Sequence, residues 1–170
     1  KHSSTSPEDA SFESDKLYAM DVDGDGKSEI VHINESGTYT YAFNAQGSNI
    51  LSCSLIGSDT QLTKGACNRR KVLLADLNGD RLLDFFLTPA KQYSRPTKYS
   101  RDNIIFFAKG DGHYEKSERY DLSTYSEKTV DFFEDVDLDG TSDYVSYLPD
   151  NGNITIHTYK NGVIKDYVKL

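Results

Sequence analysis

The sequence predicts an all-β chain made of three four-stranded antiparallel units in tandem. Three observations carry this reading: an acidic loop that recurs in one register, short β-forming runs on both sides of every copy, and the lack of any useful stretch of 3.6-residue apolar periodicity. At 170 residues the chain has the size of one compact domain.

The loop copies are Asp21-Val-Asp23-Gly-Asp25-Gly26-Lys27-Ser-Glu29, Asp76-Leu-Asn78-Gly-Asp80-Arg81-Leu82-Leu-Asp84 and Asp135-Val-Asp137-Leu-Asp139-Gly140-Thr141-Ser-Asp143, starting 55 and then 59 residues apart. Oxygen-bearing side chains fall at loop positions 1, 3, 5 and 9, and two apolar residues follow each time. Before the loops run Lys16–Met20, Lys71–Ala75 and Thr129–Phe133; after them run Glu29–Ile33, Asp84–Thr88 and Asp143–Tyr147. Third runs of β-branched and aromatic residues cover Thr38–Phe43, Asn103–Phe107 and Asn153–Tyr159. The turns Asn44–Gly47, Lys109–Gly112 and Lys160–Gly162 lead to fourth strands over Asn49–Leu55, His113–Tyr120 and Val163–Leu170.

Four-stranded antiparallel sheets in tandem are the blades of a β-propeller, which closes with about four to eight of them. The expectation is a partial propeller with units of about 15–57, 70–122 and 128–170, each with its acidic loop between first and second strands. Residues 1–14 are rich in Ser and acid, read as a linker-like N-terminus, and lack the apolar segment of a secretory signal. With no initial Met and only three units, the chain is expected to be a portion of a longer protein whose other blades cover its ends.

Calcium is a hard cation that takes six to eight oxygen ligands, and a tight loop with carboxylates at alternate positions can wrap one ion. Backbone carbonyls at position 7, from Lys27, Leu82 and Thr141, add a further oxygen to each predicted site. Gly26 and Gly140 suit the sharp turn at position 6, whereas Arg81 departs from it. The middle loop also has Asn78 in place of an acid, so it is expected to bind most weakly. The loops hold 11 of the 27 Asp and Glu residues, and three Ca²⁺ would move the net charge from −8 to −2. Asp, Asn and Gly also form ordinary turns; three copies in one register argue for ligands instead. The sites differ from EF-hands, because position 12 is His32, Leu87 and Ser146 and the flanks are strands.

These loops and flanks resemble the FG-GAP or VCBS repeats of integrin α-chain propellers and of many bacterial surface and secreted proteins, over nearly all of the chain after Ser14. Phe107-Ala-Lys-Gly-Asp-Gly-His-Tyr114 is similar to that family's turn between third and fourth strands. The resemblance implies up to three Ca²⁺, held by Asp21, Asp23, Asp25 and Glu29, by Asp76, Asn78, Asp80 and Asp84, and by Asp135, Asp137, Asp139 and Asp143. Glu29 stands where the family usually has Asp, and Arg81 where it usually has Gly. Propellers of toxin-complex B components and plasmid virulence proteins are similar too, through the same widely shared motif.

Elsewhere the chain offers little chemistry. His2, His32, His113 and His157 show no zinc-ligand spacing, and no catalytic constellation stands out. Cys53 and Cys67, 14 positions apart, would form a disulfide in an oxidising compartment and be plain thiols in the cytosol. Lys91–Arg101, basic and aromatic in an acidic chain, is a candidate contact loop or a solvated insertion. The charge balance excludes nonspecific nucleic-acid binding, and no apolar run of about 18 residues predicts membrane insertion.

The function expected is therefore non-enzymatic: a calcium-binding structural or interaction module of a secreted or cell-surface protein. Its partners would be a protein, a glycan, or other blades of the parent chain. Two alternatives are a segment of a toxin-complex or RHS-type shell protein, and part of a secreted enzyme such as a polysaccharide lyase.

Overall fold

A computed structural model describes residues 15–46, 50–68, 70–89, 103–117, 130–160 and 163–170. Sheet I comprises β1 (Lys16–Met20), β2 (Glu29–Asn34), β3 (Gly37–Gln46) and β4 (Ile50–Asp59). One helical turn, α1 (Lys64–Cys67), leads to sheet II: β5 (Arg70–Ala75), β6 (Asp84–Pro89), β7 (Ile104–Ala108) and β8 (Tyr114–Ser117). Sheet III comprises β9 (Val130–Glu134), β10 (Asp143–Leu148), β11 (Asn153–Lys160) and β12 (Val163–Lys169). In all three, neighbours in sequence pair antiparallel and the acidic loop joins the first two strands. The predicted N-terminal linker, the basic stretch Lys91–Arg101, and residues 118–129 at the expected unit boundary lie outside the described residues.

Sheet II lies between the other two. Its strands β5 to β7 carry apolar residues on both faces, as a sheet covered on both sides requires. Because side chains alternate along a strand, Phe85 and Leu87 of β6 point to sheet I while Phe86 points to sheet III. The I–II core gathers Met20, Val22, Val31, Ile33, Phe85, Leu87 and Phe106, with Leu62 and Cys67 from the connection through α1. The II–III core is smaller, built on Ala75, Leu77, Phe86, Ile105 and Tyr144. Phe86 meets Phe133 edge-on at 5.0 Å, and Lys71 Nζ donates to the Asp131 carbonyl at 2.9 Å.

The repeat extends to the cross-strand rows. Tyr18–Val31–Thr40–Gly57 runs across sheet I and faces sheet II; the equivalent row Leu73–Phe86–Ile105 of sheet II faces sheet III. The equivalent row of sheet III is Phe132–Val145–Ile156–Val168, on the side away from sheet II. At Gly57 the two main chains touch. A Cβ there would lie 2.5 Å from the Asp111 carbonyl oxygen, and one at Gly112, whose φ is +78°, would lie 2.8 Å from the Gly57 Cα.

In the connection before sheet II, α1 is capped by Thr63, whose Oγ1 accepts from Ala66 N at 3.1 Å. Cys53 and Cys67 are not bridged, because Cys53 is exposed on β4 while Cys67 is buried in the I–II core. Fourteen residues of separation said nothing about the opposite settings of the two thiols.

Candidate metal-binding loops

The three loops share one hydrogen-bond scheme, built outward from their carboxylates, except that position 1 of the third loop accepts from position 5 where the others accept from position 4. At position 1, Asp21 accepts from Gly24 N and Gly26 N at 2.7 and 2.9 Å, and Asp76 accepts from Gly79 N and Arg81 N at 2.7 and 2.8 Å. Asp135 accepts from Asp139 N and Gly140 N at 3.1 and 3.0 Å. At position 3, Asp23, Asn78 and Asp137 each accept from the backbone N–H two residues on, as do Asp25, Asp80 and Asp139 at position 5. Such short-range bonds are why Asp and Asn shape turns.

Position 9 closes the ring. Glu29, Asp84 and Asp143 accept from the position 2 N–H groups of Val22, Leu77 and Val136 at 3.0, 2.9 and 3.1 Å. The longer Glu29 makes the same bond as the aspartates, so its extra methylene leaves the closure intact.

Positions 4 and 6 are left-handed in every loop: Gly24 and Gly26, Gly79 and Arg81, Leu138 and Gly140. The requirement at position 4 was not recognised from the sequence, although two glycines there signalled it. Arg81 takes φ 72° and Leu138 φ 59°, a conformation that costs an ordinary residue about 1–2 kcal/mol. The loops also interlock. A Cβ on Gly79 would lie 3.1 Å from the Thr141 methyl, and Ser142 N donates to the Asp76 carbonyl at 2.7 Å.

The acids at positions 1, 3 and 9 converge. Asp21, Asp23 and Glu29 each present a carboxylate oxygen within 4.8 Å of the others, and so do Asp135, Asp137 and Asp143. The position 5 acids lie outside these groups and are engaged locally. The Lys27 ammonium binds Asp25, and this hydrogen bond holds the Asp25 carboxyl below its usual range. Asn78 Nδ2 donates to Asp80, and Thr141 Oγ1 donates to Asp139. Predicted ligands Lys27, Leu82 and Thr141 donate their own N–H groups to position 5.

The closing acids of all three loops are buried, and that of the middle loop is Asp84. Its carboxylate is fully buried and accepts from Leu77 N and also from Ala108 N of β7, the latter at 2.8 Å. Burial pushes its pKa up to about 7 against these two bonds, and the charges of Asp80 and Asp76 push the same way. Clustered oxygens of this kind suit a hard divalent cation, which supplies positive charge to acids that otherwise repel one another.

Neither a family model nor a curated protein matches the chain. Among solved structures, it is similar to an Agrocybe aegerita lectin whose structure describes specific recognition of non-reducing terminal N-acetylglucosamine. The identity is 21% and the TM-score 0.63, over 92% of this chain and 38% of the lectin chain. That likeness concerns the fold. No helix among the described residues is long and apolar enough to cross a membrane.

Proposed function

We propose that this chain is a non-catalytic, calcium-stabilised binding module: a β-propeller segment of the FG-GAP or VCBS type that displays a surface for an extracellular partner. The observation carrying this reading is the common loop geometry, in which left-handed backbone at positions 4 and 6 brings the acids of positions 1, 3 and 9 together in the first and third loops. Calcium would be held there by Asp21, Asp23 and Glu29 and by Asp135, Asp137 and Asp143, with Asp25, Asp139 and the position 7 carbonyls completing the shell. Asp76, Asn78, Asp80 and Asp84 form the weakest of the three sites. The folded loop is the binding form, so the ion stabilises the fold by mass action. Affinities of about 10⁻⁴ to 10⁻³ M, typical of extracellular modules, fit a secreted or cell-surface setting.

The likeness to a lectin supports a glycan as the first class of partner to test. Thermal melts in EDTA and in millimolar CaCl₂, with titration calorimetry for stoichiometry, test the metal reading. Two or three ions per chain and a raised melting temperature are expected; identical melts and no binding heat would overturn it. A glycan array run with calcium tests the partner class.

A further inference from the structure

Adjacent acidic loops are seated on one another. Position 4 of the middle loop lies against positions 6 and 7 of the third: a Cβ on Gly79 would lie 3.1 Å from the Thr141 methyl carbon and 3.6 Å from the Gly140 carbonyl oxygen. The first loop meets the second through the same positions 4 and 7 with more slack, a Cβ on Gly24 lying 3.9 Å from Leu82 Cδ2. Among the described residues only the second of these seats carries a main-chain hydrogen bond, Ser142 N donating to the Asp76 carbonyl at 2.7 Å.

That bond continues in both directions. The Ser142 N–H and the Thr141 carbonyl are the two ends of one trans peptide group, which is planar, so they point opposite ways. The N–H faces the middle loop, and the carbonyl is turned away from it. The Asp76 carbonyl in turn shares its peptide group with the Leu77 N–H, which donates to Asp84 at 2.9 Å. Two peptide groups thus run in series from position 7 of the third loop to the closing acid of the middle one.

We propose that this relay couples the two loops, so that calcium in the third loop raises the calcium affinity of the middle one. The coupling rests on these contacts, and its ligand on the function proposed above. A cation drawing on the Thr141 carbonyl polarises that peptide group and makes the Ser142 N–H, and then the Leu77 N–H, a better donor; at about 10–30% per bond this is the smaller contribution. The larger is order. Fixing Thr141 and Asp143 on either side of Ser142 steadies the surface on which Gly79 sits, so the middle loop starts nearer its binding geometry. Linkage makes the effect mutual. Direct repulsion between two cations has the opposite sign, so the sign of the coupling separates the two.

During a calcium titration, the amide NMR signals of Gly79 and Arg81 report the middle loop and those of Asp139 and Gly140 the third. Asp137→Ala removes an exposed acid of the third loop that takes no part in the relay, and Asp139 N keeps Asp135 as its acceptor. It should move the middle-loop midpoint to at least about fivefold higher calcium, the low end of ordinary coupling between sites. Asp23→Ala removes the same charge from the first loop, where no such relay runs, and should leave that midpoint within about twofold. In EDTA, Ser142→Pro deletes the linking donor and should speed hydrogen exchange at the Leu77 N–H at least about threefold. Circular dichroism melts check that each variant folds; should Ser142→Pro fail, Asp137→Ala decides alone. A middle-loop midpoint that stays or falls in Asp137→Ala, one that moves as far in Asp23→Ala, or an unaltered Leu77 exchange rate would each overturn the relay and leave the calcium reading standing. Signals indifferent to calcium in every loop would overturn the calcium reading, and this inference with it.

Discussion

The middle acidic loop and the third one follow the same hydrogen-bond scheme in all but one donor, with different support. Asp143, buried like Asp84, accepts from Val136 N, whose side chain is exposed, and its loop brings it together with the half-buried Asp135 and the exposed Asp137. Asp84 is locked by Leu77 N from its own loop and Ala108 N from β7, and Gly79 abuts the next loop. The contrast teaches that one backbone design can be held in two ways: by neighbours where it is wedged in and, on the function proposed above, by a cation where its acids reach solvent.

The sharpest way to break this comparison is to truncate the closing acid in each loop. Asp84→Ala leaves two buried N–H groups without an acceptor and should cost about 3 kcal/mol in urea denaturation, while Glu29→Ala, which frees the N–H of Val22, should cost about 1–2 kcal/mol. Equal losses would mean that the neighbours add nothing.

Next in size is pH. Asp84 titrates at about 7 in the metal-free fold against 3.8 for an ordinary Asp, so the folded state binds the extra proton between those values. Stability from this group is fully present below about pH 4 and is lost as pH rises to about 7, by on the order of 2 kcal/mol. In EDTA, wild type should therefore lose more stability than Asp84→Asn over that window. Matching profiles would remove the buried charge from the account.

Calcium should then sharpen the contrast between loops. At a few millimolar it should add about 1–2 kcal/mol per occupied site. That increment should shrink by one site's worth in Asp135→Ala and change little in Asp76→Ala, as read from paired melts with and without EDTA. Smallest is the strain term: Arg81→Gly and Leu138→Gly should each raise stability by about 0.5–1 kcal/mol, the left-handed penalty less the added freedom of the unfolded chain.

Much of this was legible in the residues. Alternating β-formers located the strands to within a few residues, because period and turn chemistry act locally: Lys16–Met20 and Glu29–Ile33 needed no tertiary knowledge. The loop register was equally local, since each position 3 or 5 side chain bonds its own backbone two residues on. What stayed hidden depends on partners distant in sequence. Ala108 N reaches Asp84 across 24 positions. The different settings of Cys53 and Cys67 follow from how β4 and α1 meet the core. The four-residue α1 is too short to show a period, and the position 4 constraint was masked by Leu138, which adopts the conformation despite its side chain.

The abutting Gly57 and Gly112 carry one consequence for how such a molecule can change over generations. The gap there is two main chains wide, so any mutation adding a methyl group must wedge apart the first two sheets, whatever its polarity. Strand β4 and the β7–β8 turn can drift in almost every other letter while this pair stays bare. An otherwise diverged descendant would still bear two coupled blanks at that joint.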